Sequence, residues 1–461
     1  MRNLIFLTPQ YPIMTQKIVV LHAYFLPKLL LRWGWRTITI TQWTGEPGES
    51  CTIEEIPERL RGLAADELVV LPIRSEASLG QKLINFSSRV HRMGESVKRM
   101  HSIGHVLGSS LSAVALLTGE THLTGGGWTQ PAARAASRTA QVLKADAMLA
   151  MVGWDAAFAA QRCHRDTGVP WVHYFLDAWQ MFVVPLAQPV YGAYFHRSLL
   201  PSAAAICHCT PGWAHESCLE LHRPVTCIIG GYNAEHMATF EAKESDHFTV
   251  VYVGSAGIGV HQDPDRFFAG VAKLCRDAPE LANDLEVLYI GWDQKVFRQR
   301  AAEAGVLERL RCLGKLPPEE VIPYLKGAHL LLMMLDQTVD YNVGRLCAKM
   351  GEYVGAGRPI LLIGQTDKGR ETDLVRLIRD GGIGWVAQNA DEVAVLLRRL
   401  LEQYNATGST PRPGGGKYPT GDFSWQRQAQ KLALVLDSVA RGERDPVVED
   451  LAVEYPWSVT D

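Results

Sequence analysis

The chain has 461 residues, 47% of them hydrophobic and 21% charged, with a formal net charge of −3. That is a globular composition with enough chain for two or three cores, and two domains are expected. The near-neutral balance excludes a general basic field for nucleic acid, so an anionic ligand has to be held by a few local cations.

In chain order, the start alternates as an α/β domain should: a strand over 3–7, a loop Thr8-Pro9-Gln10-Tyr11-Pro12, a helix to about Leu31, then Gly34-Trp35-Arg36 and a strand over 37–41. Residues 3–7 are too short for the apolar region of a secretion signal. The apolar run Val19 to Leu31 is interrupted by His22, Pro27 and Lys28, so no membrane span is expected and the protein reads as cytoplasmic. Residues 81–117 have the pattern of an amphipathic helix with Arg89, Arg92, Lys98 and Arg99 on its polar face. Such a face could rest peripherally on an anionic membrane; a plainly solvated face is the simpler reading.

Gly125-Gly126-Gly127 breaks the chain before a helix over 130–144, and strands are expected near 147–151, 171–175 and 203–207. Cys207, Cys209, His215 and Cys218 are of types that suit zinc, but their spacing fits no common zinc site, and buried core thiols are expected. The nine cysteines form no regular framework, which fits a reducing compartment. A polar linker, Glu241 to His247, leads into a second alternating unit with strands over 249–253, 285–290, 311–313, 329–333, 360–363 and 384–387. Two consecutive units of this kind argue for an α/β fold of two doubly wound, Rossmann-like domains facing each other across a cleft. The expected division is 1–238, 239–404 and a remainder of 405–461, which holds a Gly- and Pro-rich loop, a helix over 425–439 and an acidic tail.

Residues 344–363 are the most informative stretch. Lys349 and Glu352 lie three apart on one helix face, Ala-Gly-Arg-Pro ends the helix, and Ile360 to Ile363 reads as a strand covered on both sides. In an α/β sheet such a helix start faces the crevice at the carboxyl ends of the strands, where a phosphate or nucleotide sits. The segment resembles the donor-binding signature of the retaining glycosyltransferases called family 4, in the variant Lys-Leu-x-Glu-Tyr-Leu-x-Ala-Gly-Arg-Pro-Ile-Leu. Further stretches resemble the same family in the same order. They are Gly168 to Val172 with Asp177-Ala178-Trp179, Ile228 to Asn233, Tyr252-Val253-Gly254-Ser255, Leu313-Gly314-Lys315-Leu316, and Phe423-Ser424-Trp425 with the helix after it.

The resemblance implies the GT-B fold, with the last helix returning to the N-terminal domain. It also implies a nucleotide-sugar donor on the C-terminal domain, an acceptor mainly on the N-terminal one, and transfer with retained anomeric configuration. A departing nucleoside diphosphate needs cations and backbone N–H groups aimed at it. Lys349, Lys315 and Lys295 are the candidate cations, with Arg345 next; Gly254 and Ser255 would bring backbone to the diphosphate, and Glu352 would accept the ribose hydroxyls. Lys349, Glu352 and Lys315 are the expected catalytic set. Asp177, Trp179 and Tyr11 are the acceptor-side candidates. No acidic pair is convincingly placed for a metal, Asp263 and Asp265 being the nearest, so neither metal nor cofactor is expected beyond the donor itself. The expected acceptor is a small molecule, a glycan or a lipid carrier.

The chain departs from the family at Gly344, where many members have a second glutamate, and at Ile13 to Gln16, where they have glycines. Two other readings follow: a nucleotide-sugar epimerase on the same fold, and a non-catalytic relative that binds nucleotide or supports a partner. A dehydrogenase fits less well, since Gly254 to Gly259 lacks the Gly-x-Gly-x-x-Gly spacing.

Overall fold

A computed structural model describes residues 1–9, 21–43, 50–64, 67–77, 127–178, 192–255, 264–335, 349–364, 372–410 and 423–448, with isolated positions between. The loop holding Tyr11, most of the helix expected over 81–117, Trp179, Asp263, Arg345 and most of the acidic tail lie outside the described residues. The chain divides into two units. One gathers Met1–Cys209, Trp213–Ile229 and Gln428–Ala452, and the other is centred on Gly230–Arg427.

The first unit is built on a sheet of seven parallel strands: β1 (Arg2–Leu7), β2 (Trp35–Gln42), β3 (Val69–Ile73), β4 (Ala147–Met151), β5 (Trp171–Phe175), β6 (Ala205–His208) and β7 (Thr226–Cys227). Their order is β3-β2-β1-β4-β5-β6-β7. A strand such as Ala147–Met151 is apolar throughout and buried throughout, as a parallel strand with helices on both faces must be. Helices α1 (Leu21–Leu30), α2 (Thr129–Leu143) and α3 (Gly153–Thr167) lie between strands in the chain. α2 and α3 pack on each other, and both are rich in buried alanines, Ala132, Ala136, Ala156 and Ala160 among them. Alanines leave little hydrophobic contrast around a helix, so periodicity alone does not single out α3; β3 is likewise obscured by Pro72.

The second unit has six parallel strands: β8 (Phe248–Val253), β9 (Leu285–Ile290), β10 (Leu310–Gly314), β11 (Leu330–Leu335), β12 (Ile360–Gly364) and β13 (Gly384–Ala387), in the order β10-β9-β8-β11-β12-β13. Its helices include α4 (Asp265–Asp277), α5 (Gln294–Glu303), α6 (Pro318–Gly327), α7 (Met350–Ala356) and α8 (Ala390–Thr407). α8 stops where Gly408 takes the left-handed conformation, φ +67°. The last helix, α9 (Trp425–Ala440), returns to the first unit. There Asp437 accepts the Trp35 indole N–H at 2.8 Å and pairs with Arg2, while Gln428 Oε1 accepts the N–H of Ile229 at 3.0 Å.

The units part between Ile229 and Gly230, and Gly231 and Tyr232 are held from within the second unit. The Tyr232 N–H donates to the Phe423 carbonyl at 2.8 Å, and the Trp425 N–H donates back to the Tyr232 carbonyl at 2.9 Å. α7 lies on this segment: a Cβ on Gly351 would stand 2.6 Å from the Gly231 backbone, and one on Gly355 would stand 2.5 Å from the Tyr232 ring. Gly351→Ala is therefore expected to destabilise. The helix-propensity gain of about 1 kcal/mol opposes an overpacking cost of about 1–3 kcal/mol, and backbone, unlike a side-chain tip, cannot step aside. A lower urea midpoint at unchanged m-value is the expected measurement, and a raised midpoint would show that the two segments separate freely.

Among the described residues, no helix is long and apolar enough to cross a membrane. All nine cysteines are free, and Cys207 and Cys209 are buried. Burial pushes the Cys207 thiol up to about 12 and Cys209 well above its ordinary value, so both behave as inert core thiols.

Candidate functional site

Both sheets reverse their strand order at one place, between β1 and β4 in the first unit and between β8 and β11 in the second. At such a switch point the connections leave in opposite directions and the carboxyl ends of the strands open into a crevice. In the second unit the opening is visible in the register. Pairing of β8 with β9 continues to Val253 and Ile290, whereas pairing with β11 is recorded only at Val250 and Val251.

The backbone that follows β8 is tightly specified. Gly254 has φ +123°, a conformation L side chains rarely adopt, and a Cβ there would lie 3.0 Å from the Lys349 ammonium. Three phenols reach the same turn. The Tyr353 hydroxyl, from α7, accepts the Val253 N–H at 3.0 Å, on the side where β11 has diverged. The Tyr289 hydroxyl, from β9, donates to the Gly254 carbonyl at 3.0 Å, and that of Tyr252 donates to the Ser255 carbonyl at 2.5 Å. Burial pushes Tyr289 up to about 12 and raises Tyr252 and Tyr353 as well, so all three stay protonated.

Lys349 stands at the N-cap of α7, not inside it as the sequence suggests, because the helix begins at Met350. Its ammonium lies 4.0 Å from the centroid of the Tyr252 ring. Glu352 is in the first turn of α7. Burial raises its carboxyl above the usual glutamate range, and the neighbouring Lys349 charge partly opposes that rise. α7 ends where sequence places the end, at Gly357 with φ +68°. Lys349, Glu352, Gly254 and Ser255 thus lie at one strand end and the start of one helix.

The other donor candidates sit at neighbouring strand ends. Lys315 follows β10 directly, is exposed, and has its ammonium 4.1 Å from the centroid of the Trp292 ring. Trp292, two residues beyond β9, is 68% exposed. Lys295 is exposed on the first turn of α5. Asp265 opens α4 and pairs with Arg300 at 3.2 Å. Among the described residues no group of three His, Cys, Asp or Glu side chains could hold a metal ion.

In the first unit, Asp177 lies two residues past β5 and is half-buried. Nearer the switch point, Val152 follows β4 with φ +63°. For a β-branched residue that is an outlier costing on the order of 1–3 kcal/mol, a kind of strain that collects at functional sites. Sequence reasoning misses Val152, whose φ no residue pattern reports. It also misses the three phenols, although one signal was present: Tyr252-Val253-Gly254 and Tyr289-Ile290-Gly291 end adjacent strands with the same Tyr-aliphatic-Gly pattern, and the two tyrosines are register partners.

No family model matches the chain, and no curated protein matches it. Solved structures do match, over nearly all of its length. Sucrose-phosphate synthase from Thermosynechococcus elongatus has a TM-score of 0.55 at 12% identity, covering 96% of this chain and 100% of that one. The UDP-forming α,α-trehalose-phosphate synthase from Burkholderia vietnamiensis has a TM-score of 0.54 at 10% identity, covering 96% of this chain and 99% of that one. Anabaena HepE, in complex with UDP-glucose, has a TM-score of 0.51 at 11% identity, covering 95% and 98%. UDP-N-acetylglucosamine 2-epimerases also lie among the matches. At these identities the likeness defines the fold. The chain is a GT-B protein, with two Rossmann-like units built on parallel sheets of seven and six strands.

Proposed function

We propose that the chain is a retaining, metal-independent glycosyltransferase of the family 4 type that moves a sugar, a hexose by this reading, from a nucleotide donor to a glycan, lipid carrier or small molecule. The observation that carries this is the convergence of Lys349, Glu352 and the Gly254–Ser255 turn at the switch point of the second unit. An ammonium and a backbone N–H suit a diphosphate, and a carboxylate one helical turn away suits the paired hydroxyls of a ribose. UDP and UDP-glucose in the names of proteins sharing the fold support a nucleotide-sugar donor.

In this reading Glu352 anchors the ribose, Lys349 stabilises the charge that develops on the departing diphosphate, and Lys315 and Arg345 add cationic field. As the bond from the anomeric carbon to the diphosphate oxygen breaks, the acceptor hydroxyl attacks on the face the leaving group vacates and passes its proton to the departing phosphate oxygen, so no protein nucleophile is required. Asp177, Trp179 and Tyr11 are assigned to the acceptor side, and the protein to the cytoplasm.

Incubation with a panel of labelled nucleotide sugars should give slow hydrolysis of one donor, with release of the nucleoside diphosphate, and the rate should survive EDTA. Loss on chelation, restored by Mg²⁺ or Mn²⁺, would overturn metal independence. Turnover of the sugar without nucleotide release would favour the epimerase instead. Once an acceptor is found, Asp177→Asn should slow transfer while sparing nucleotide binding, and wild-type transfer by that variant would remove Asp177 from the site.

A further inference from the structure

Backbone N–H groups bind an anion well only when they are already aimed at it, since turning a loose peptide to face a ligand spends part of the binding energy. The turn after β8 has features of a device for such aiming. Peptide units are planar and trans, so a carbonyl held in one direction points the next N–H the opposite way. Tyr289 holds the Gly254 carbonyl at 3.0 Å and so sets the direction of the Ser255 N–H. The fit is close: a Cβ on Gly291 would come within 2.2 Å of that carbonyl oxygen and 2.5 Å of the Tyr289 hydroxyl. Tyr353 and Tyr252 hold the peptides on either side, through the Val253 N–H and the Ser255 carbonyl. The Gly254 N–H is used in the sheet, donating to Ile290 at 2.9 Å.

Tyr289 does a second thing. Its hydroxyl accepts the Asp293 N–H at 2.9 Å while donating to Gly254. One oxygen therefore ties the turn after β8 to the turn after β9, where Trp292 and the start of α5 stand. A phenylalanine would pack against Phe297 and Tyr252 as Tyr289 does, with centroids at 4.1 and 6.0 Å. Packing alone does not explain a hydroxyl there.

We propose that Tyr289, assisted by Tyr252 and Tyr353, is a positioning residue that holds the Ser255 N–H on the diphosphate also served by Lys349. This rests on the nucleotide-sugar reading given above. The role is separable from stability, because it concerns the diphosphate and not the nucleoside.

The test is calorimetric titration of wild type and Tyr289→Phe with UDP, ADP and GDP, and NMR titration with the matching nucleoside. For the diphosphate that binds wild type, Tyr289→Phe should raise Kd about fivefold, as expected for loss of one net hydrogen bond, and leave nucleoside affinity unchanged. Tyr353→Phe, which leaves the Val253 N–H without its acceptor, should do the same and serves if the first variant does not fold. Unchanged diphosphate affinity, or equal losses for diphosphate and nucleoside, would overturn the positioning role while leaving the donor reading intact. Failure of wild type to bind any of the three diphosphates would overturn both.

Discussion

Lys349→Ala is expected to lower kcat by about 10²–10³-fold, the usual consequence of removing one preorganised group that stabilises developing charge, while the protein remains folded at assay temperature. The two halves of that expectation have separate causes. An ammonium at the N-cap of α7 faces the positive end of the helix, an unfavourable placement worth about 0.3–1 kcal/mol. Its contact with the Tyr252 ring, 4.0 Å to the centroid, returns a similar amount. Those two contributions nearly cancel; the same charge also eases the burial of the Glu352 carboxyl, and an anion to be neutralised gives a further, stronger reason for a lysine at this position. Lys349→Arg should restore the rate only in part, because a planar, forked guanidinium does not present its charge as a compact ammonium does. Steady-state kinetics with the identified donor, alongside thermal melts, decide the matter. Wild-type turnover by Lys349→Ala would end its assignment to the leaving group.

Glu352→Gln is expected to bind nucleotide about ten- to a hundredfold more weakly, the loss of a charged hydrogen-bond acceptor being worth roughly 1.5–3 kcal/mol, and yet to be the more stable protein at neutral pH. The sign follows from the direction of the shift. Burial raises the Glu352 carboxyl in the folded chain above its unfolded value, so between those two values the native state binds more protons than the unfolded one. Stability from this group is fully present below the unfolded value and is lost as pH rises through the folded one. Glutamine, with nothing to ionise, keeps it. Urea midpoints of the two proteins should diverge as pH rises from below the ordinary glutamate range, with the variant above wild type. Parallel midpoints would mean that Glu352 is solvated in the free protein, and unchanged nucleotide affinity would remove it from the ribose.

The alternation of β-strand and helix was legible in the chain because it depends on local pattern. Continuous apolar runs such as Leu330–Leu335 and Ile360–Gly364 can be strands only if covered on both faces. Gly357 can end α7 because only glycine takes φ +68° without strain. Two such units in succession, together with the donor-like segment at 344–363 within the second, point to the GT-B fold and to Lys349, Glu352 and Gly254 as parts of one site. What only the tertiary structure decided is everything that depends on the third neighbour. Whether Lys349 caps α7 or lies within it turns on where the first helical hydrogen bond closes. The part of Gly351 is set by the backbone of Gly231, far away in the chain. The tyrosines of β8 and β9 look like core residues in the sequence, and their rings are core. It is their hydroxyls, meeting carbonyls of a turn whose shape no local pattern records, that give the site its form. Local periodicity encodes which face of an element is buried, and it carries no information about which polar atoms meet once the faces are packed.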